Sequence, residues 1–381
     1  MIPYGRQFID EEDIKSVVEV LKSPFITQGP KVAQFEEKLA EYCGARFAVA
    51  FSSGTAALHA AYFSAGLSEG DEFITSPITF AATANAGLFL GAKPVFVDVE
   101  RDTGNIDADL IEEALTPKTK LIVPVHYAGF PANMEKIREI AEKHGLKVVE
   151  DACHALGAEY KGSKIGSCEY SDATVFSFHP VKHITTGEGG AVLTNCEDVY
   201  KKLIMFRSHG ITKNAEDFEN PPHGPWYYEM QFLGYNYRIT DIQAALGISQ
   251  LKKLPAFLKK RREIAERYQM RLKDSSLFHT PEEKSYGKSA WHLYPATLKD
   301  EYLAKKREIF TIFLEKGIGV QVHYIPVYHH PFYRRLGYSL KLENAEDFYL
   351  REISLPLYPA LKDEEFEKVI EVVNWITESI R

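Results

Sequence analysis

Seven short apolar runs punctuate residues 47–195 of the chain: FAVAF, DEFITS, PVFVDV, KLIVPVHY, LKVVED, ATVFSF and GAVLTN. Several are continuously apolar, which suits strands covered on both faces. Helix-patterned stretches lie between some of them, at Thr55 to Ala65, Asp109 to Leu115 and Asn133 to His144. Strands alternating with helices at this spacing predict an α/β domain with a mostly parallel seven-stranded sheet flanked by helices. Such sheets collect ligands beyond the carboxyl ends of their strands. The residues that follow the apolar runs are therefore the ones to read for chemistry.

From about Ile248 the texture changes. A long charged helix (LKKLPAFLKKRREIAERYQMRL) precedes a strand-like segment (SAWHLYPATL), a helix (LAKKREIFTIFLEKG), a further expected strand (IGVQVHY) and a terminal helix. The expected division is a large domain over 1–247, with an N-terminal arm, and a smaller α+β domain over 248–381. The stretch Asn214 to Trp226 is the best candidate for a long loop.

Two strand ends carry the most suggestive residues. Asp151 closes the LKVVED run, and Lys182 lies in the turn that follows ATVFSF, in FSFHPVKHITTGEGGAVLTN. The separation, 182 − 151 = 31 residues, fits one strand–connection–strand excursion. Pyridoxal phosphate chemistry needs this combination: a lysine that condenses with the aldehyde, and an acid that keeps the ring nitrogen protonated. Taken singly, a turn lysine is ordinarily a solvated charge and a strand-end aspartate often a helix cap. Ser53, Gly54 and Thr55 open a helix after FAVAF, where free N–H groups and the positive helix end suit a phosphate. Ser177 offers a hydroxyl near Lys182. Phe80, after DEFITS, could lay its ring over a flat cofactor.

Composition excludes several classes. A net charge of −8 without a Lys/Arg cluster argues against nucleic-acid binding. The absence of a long apolar run argues against a membrane span. Four cysteines (Cys43, Cys153, Cys168, Cys196) without a C-x-x-C pair argue against disulfides and a metal site and fit a reducing cytoplasm. Val192 stands where G-x-G-x-x-G would need its last glycine, which disfavours a nicotinamide Rossmann site.

The segments SSGTAALH, EDACHALGAEY, SFHPVKHITTGEGGA, FRSHG, GYNYRITDIQAALG and VQVHYIPVY, taken in order, resemble the DegT/StrS-type sugar aminotransferases, fold-type I enzymes that aminate nucleotide-linked keto sugars. The resemblance covers nearly the whole chain. Within the family it looks most like the C4 aminotransferases of pseudaminic acid synthesis, which carry SFH before the lysine, an I-T-T run and a late Q-V-H-Y segment. It implies pyridoxal 5′-phosphate, passing through pyridoxamine 5′-phosphate, and a homodimer with shared active sites. Lys182 and Asp151 would be catalytic. Ser53, Gly54, Thr55 and Ser177 would hold the phosphate, with Asn236 reaching it from the partner subunit. Phe80 would stack on the ring, and His154 would lie near its phenolic oxygen.

The same resemblance implies substrate contacts from Tyr4, from the turn Phe25, Ile26, Thr27 and Gln28, and from Gln321, Val322, His323 and Tyr324. Strand alternation would aim Gln321 and His323 to one face. Arg6 and Arg238 are plausible anion partners. The expected donor is L-glutamate, giving 2-oxoglutarate. The expected acceptor is a UDP-linked 2-acetamido-2,6-dideoxy-4-keto hexose. Alternatives are amination of another 4-keto-6-deoxy nucleotide sugar, a sugar dehydratase of the same family, which would carry histidine in place of Lys182, and a non-catalytic regulatory binding protein.

Overall fold

All seven apolar runs pair into one sheet. A computed structural model describes residues 1–380. The strands are β1 (Phe47–Phe51), β2 (Glu72–Thr75), β3 (Lys93–Phe96), β4 (Thr119–Val123), β5 (Lys147–Asp151), β6 (Ala173–Ser177) and β7 (Gly190–Thr194). Their spatial order is β1-β7-β6-β5-β4-β2-β3. Strand β7 is antiparallel to both β1 and β6, and every other pairing is parallel. The carboxyl ends of β1, β5 and β6 and the first residue of β7 therefore share one rim. Register fixes this, since Gly190 lies opposite both Phe51 and Ser177.

Helices α1 (Glu11–Leu21), α2 (Pro30–Cys43), α3 (Gly54–Ser64), α4 (Ala82–Leu88), α5 (Met134–His144) and α6 (Glu197–Arg207) accompany the sheet. Helix α3 buries nearly every side chain, and α5 buries one stripe of Met134, Ile137, Ile140 and Ala141. The stretch Asp109 to Leu115 differs from expectation. It forms two 3-10 turns, Ala108–Leu110 and Glu112–Ala114, started by the Asp107 cap on Asp109 N–H and closed by i,i+3 bonds, Ile111 N–H to Ala108 O and Leu115 N–H to Glu112 O, with no i,i+4 ladder to extend them.

Helix α7 (Asp241–Leu272) begins ten residues before the predicted LKKL start, at a Thr240–Gln243 capping box, and crosses position 248 unbroken. Its Leu251, Leu254 and Leu258 join the core under the large sheet. Ile264, Ala265, Tyr268 and Leu272 join a second core with Tyr294, Phe313, Ile353 and Ile370, to which Ile2 returns from the other end of the chain. Arg261 sits at the changeover. Its fully buried guanidinium donates to the carbonyls of Trp291, His292 and Leu357.

The second core lies against a three-stranded antiparallel sheet of Phe278–His279, Tyr294–Leu298 and Glu352–Leu355 and helices including α8 (Lys306–Glu315). The segment IGVQVHY is not a strand. Ile318 bridges Ile2 and Gln321 bridges Ser354, each as an isolated pair and with different partners. The pairing with Ser354 stops there because the His323 N–H donates to the Glu352 carboxylate instead of a backbone carbonyl. Asn214 to Trp226 is irregular apart from the turn Ala215–Asp217.

Candidate active site

The rim of the large sheet brings the predicted phosphate residues together. Ser53 caps α3, its hydroxyl accepting from Ala56 N–H at 3.1 Å. The N–H groups of Gly54 and Thr55 have no intrachain partner among the described residues, so they remain for an anion at the positive helix end. Glycine is required here by crowding. A Cβ on Gly54 would stand 2.9 Å from Ser177 Cβ, and one on Gly190 would stand 2.6 Å from the Ser53 carbonyl oxygen. Ser177 thus faces the start of α3 across a cradle too tight for larger residues.

Lys182 occupies the connection from β6 to β7. That loop closes on itself through Thr186 N–H to Phe178 O (3.0 Å) and Thr185 Oγ1 to the same carbonyl (3.1 Å). This gives the I-T-T run a physical purpose: its hydroxyls and amides hold the lysine turn. Burial pushes the Lys182 amine below its ordinary pKa; the nearby Cys153 and Asp151 side chains pull it back and Arg261 adds to the lowering.

Asp151 is buried at the end of β5. Its Oδ2 accepts from Thr83 Oγ1 at 2.7 Å and its Oδ1 from Cys153 N–H at 3.2 Å. Thr83 Oγ1 also lies 2.7 Å from Thr79 Oγ1. Sequence reading missed this threonine pair: Thr79 lies in the bend before α4 and Thr83 in its first turn, and only the fold of the chain into the helix brings the two hydroxyls together. Cys153 is half-buried and its thiol is raised far above the usual range by burial, so it is held as an inert thiol.

His154 is buried and has a protein partner at only one of its two ring nitrogens. Its Nε2 lies 3.0 Å from the Tyr324 hydroxyl, while its Nδ1 is buried with no protein partner. Burial and the neighbouring Lys182 charge keep the ring neutral, and burial keeps the Tyr324 phenol protonated. His292 packs on His154 with ring centroids 4.3 Å apart, a neighbour visible only as the H of SAWHLYP in the sequence. Phe80 stands 63% exposed, its ring 6.3 Å from that of Tyr324.

The predicted substrate residues divide. Tyr4, His323 and Tyr324 converge: Tyr4 and His323 rings lie 5.3 Å apart, and Tyr324 reaches His154. Gln321 and His323 do not share a face. Gln321 is exposed with its Oε1 on Val322 N–H, whereas His323 is buried against Ser354. The irregular backbone beyond the Ser354 bridge removes the alternation that a strand would impose. Phe25 and Ile26 are exposed, and Gln28 has a left-handed φ of 54°. That turn contacts the start of α7, with Asp241 N–H donating to Ile26 O and the Asp241 carboxylate accepting from Gly29 N–H. Asn236 is exposed, bridged to Ser208, and Arg6 lines a small cavity that also reaches Lys182.

These residues fit pyridoxal phosphate. Unpaired N–H groups at a helix start suit its phosphate, a buried carboxylate its ring nitrogen, a desolvated amine its aldehyde, and the unpaired His154 Nδ1 a further polar atom.

Known proteins share this fold and much of this sequence. A Campylobacter jejuni protein named UDP-4-amino-4,6-dideoxy-N-acetyl-beta-L-altrosamine transaminase is 44% identical over 97% of this chain and 96% of its own length. The structure of Helicobacter pylori PseC, an aminotransferase involved in pseudaminic acid biosynthesis, superposes with a TM-score of 0.93 at 40% identity, covering 100% of both chains. A sugar aminotransferase from Streptococcus pneumoniae, solved in its pyridoxamine phosphate form, gives a TM-score of 0.93 at 33% identity over 100% of both chains. The DegT/DnrJ/EryC1/StrS aminotransferase family matches residues 7–374, and this chain, a pyridoxal phosphate-dependent enzyme, belongs to it.

Proposed function

We propose that this enzyme moves the amino group of L-glutamate to C4 of a UDP-linked 2-acetamido-2,6-dideoxy-4-keto hexose of β-L-arabino configuration, as a UDP-4-amino-4,6-dideoxy-N-acetyl-β-L-altrosamine transaminase. The observation that carries the reading is the full-length likeness to relatives of that name, 40–44% identical, joined to the intact Lys182 and Asp151 pair. When bound, the cofactor supplies an electron sink for negative charge at the donor carbon. Asp151, held by Thr83 and Cys153 N–H, keeps positive charge on the ring nitrogen. Lys182 Nζ, favoured in its neutral form by burial, takes and returns the migrating proton.

Ser53, Gly54, Thr55 and Ser177 hold the phosphate. With Tyr324 donating to its Nε2, His154 offers a proton at Nδ1 to the ring's phenolic oxygen. Phe80 covers the ring. Tyr4 and the Gln321 to Tyr324 segment meet the sugar nucleotide, whose remote groups contribute binding energy that orients the ketone.

The active assembly in this reading is a homodimer in the cytoplasm. Asn236 completes the neighbour's phosphate site, and the turn Phe25 to Gln28 meets the substrate. Support comes from the exposure of Asn236 and of the nearby Trp226, Met230 and Leu233. Among the described residues, no helix is long and apolar enough to cross a membrane. Mixing an inactive Asn236 variant with an inactive Lys182 variant should restore activity on subunit exchange; exchange without recovery counts against a shared site.

The substrate is tested by offering glutamate and a panel of 4-keto-6-deoxy nucleotide sugars, with products read by mass spectrometry. The L-arabino epimer should be preferred over the D-xylo epimer by about tenfold or more, roughly 1.4 kcal/mol in the transition state. Preference for the D-xylo epimer, or for a sugar lacking the acetamido group, overturns the substrate and leaves the aminotransferase.

A further inference from the structure

Glu352 and Ser354 stand two residues apart on the strand Glu352–Leu355, so their side chains share a face; both are 0% exposed. Opposite them, His323 N–H donates to Glu352 Oε2 at 2.7 Å. His323 Nδ1 lies 2.8 Å from Ser354 Oγ, and the same hydroxyl is hydrogen-bonded to Glu352 Oε1. The result is a buried chain from a carboxyl, through a single hydroxyl proton, to an imidazole. His323 Nε2 has no protein partner among the described residues and is not sealed from solvent. The His323 ring stands 5.3 Å from Tyr4 and next to the Tyr324 that reaches His154.

Proton counting gives this chain two states. With Glu352 ionised, the hydroxyl donates to the carboxylate, Oγ accepts from Nδ1–H, and Nε2 keeps a lone pair. With Glu352 protonated, the proton sits on Oε1, because Oε2 is taken by the backbone N–H. Oε1 then donates to Oγ, the hydroxyl donates to Nδ1, and Nε2 carries the hydrogen.

We propose that Glu352 and Ser354 are positioning residues that set the tautomer of His323. Protonation of one buried carboxyl switches Nε2 from hydrogen-bond acceptor, suited to a sugar hydroxyl or amide N–H, to donor, suited to a carbonyl or phosphate oxygen. The inference rests on the reading that Gln321 to Tyr324 lines the nucleotide-sugar site.

The surroundings favour such a switch. Burial pushes the Glu352 carboxyl up to about 8. Burial, with the Lys182 charge, pushes the His323 imidazole down to about 3, so its tautomer changes while its charge does not. From α8, Lys306 is the cation whose charge opposes the rise at Glu352, and its own pKa is lowered by burial. The phenols of Tyr127 and Tyr324 complete the titratable surroundings, Tyr127 donating to His323 O at 2.6 Å. Arg351, next in the chain, is engaged by Asp347 and Asp300.

The test is nitrogen NMR of the holoenzyme labelled at histidine, with His323 assigned by its loss in His323→Gln, from about pH 6 to about pH 10. The wild type should pass from Nε2–H to Nδ1–H without an imidazolium form. Glu352→Gln, whose carbonyl oxygen takes the His323 N–H and so turns its NH2 as a donor to Ser354, should stay Nε2–H throughout, and Ser354→Ala should uncouple the tautomer from pH. One tautomer at every pH in the wild type, or Glu352→Gln following the wild type, overturns the proposal.

In activity, the ratio of the sugar half-reaction to the glutamate half-reaction should change about tenfold through the same midpoint in the wild type and stay constant in Glu352→Gln. A flat ratio beside a changing tautomer overturns the role in sugar binding. Failure of the wild type on every UDP-4-keto sugar would sink the substrate reading alone, since the spectra still decide the tautomer.

Discussion

The two walls of the cleft are built by different means. On the sheet side, Ser53, Asp151, Ser177 and Lys182 sit at or just beyond strand ends, and backbone ladders fix their positions to the residue. On the C-terminal side, His323 and Tyr324 lie on irregular chain held by side chains: Glu352 on a backbone N–H, Ser354 on an imidazole, Tyr127 on a carbonyl. A ladder tolerates side-chain change, because its bonds are main-chain. A wall held by buried side chains depends on each of them. The sheet side should thus lose chemistry without losing fold, whereas damage near the C-terminal wall should cost stability as well.

The largest effect should come from Lys182→Ala, with turnover falling by about 10⁴-fold or more, roughly 5.5 kcal/mol of barrier. Its fold should survive. Burial holds the folded-state pKa of Lys182 below the unfolded 10.5, so the unfolded state binds the proton more readily and the amine costs stability at neutral pH. The thermal midpoint of the cofactor-stripped variant at pH 7 should therefore match or exceed that of the wild-type apoprotein; a clear drop would mean that Lys182 holds the loop together.

Next comes Asp151→Asn, which keeps shape and removes charge. Stopped-flow measurement of the glutamate half-reaction should show a loss of about 10³-fold, roughly 4 kcal/mol. A wild-type rate would remove Asp151 from the ring nitrogen.

Arg261→Met crosses to the other wall. Three buried carbonyls lose their donor, and denaturant unfolding should show a loss of about 3 kcal/mol. Loss below about 1 kcal/mol would mean that the changeover between the two cores does not depend on this guanidinium.

Thr83→Val should be the mildest. Removing the hydroxyl on Asp151 Oδ2 should slow the glutamate half-reaction about tenfold, roughly 1.4 kcal/mol, with Thr83→Ser restoring it. Equal loss in the serine variant would point to packing, not the hydrogen bond.

The sequence by itself determined the seven strands, the strand-end location of Asp151 and the loop location of Lys182, and the small residues of the cradle between α3 and Ser177. These are local matters: apolar runs bounded by turn residues, and a spacing that one crossover satisfies. It also carried the family likeness through motifs in fixed order. Tertiary structure decided the rest. Thr83 became Asp151's partner across 68 residues, and Tyr324 became that of His154 across 170. The expected alternation of Gln321 and His323 failed because a buried carboxylate took the N–H that a strand would have spent on its neighbour. Periodicity describes a chain satisfied by its own ladder, and it is silent wherever a distant side chain supplies the missing hydrogen bond.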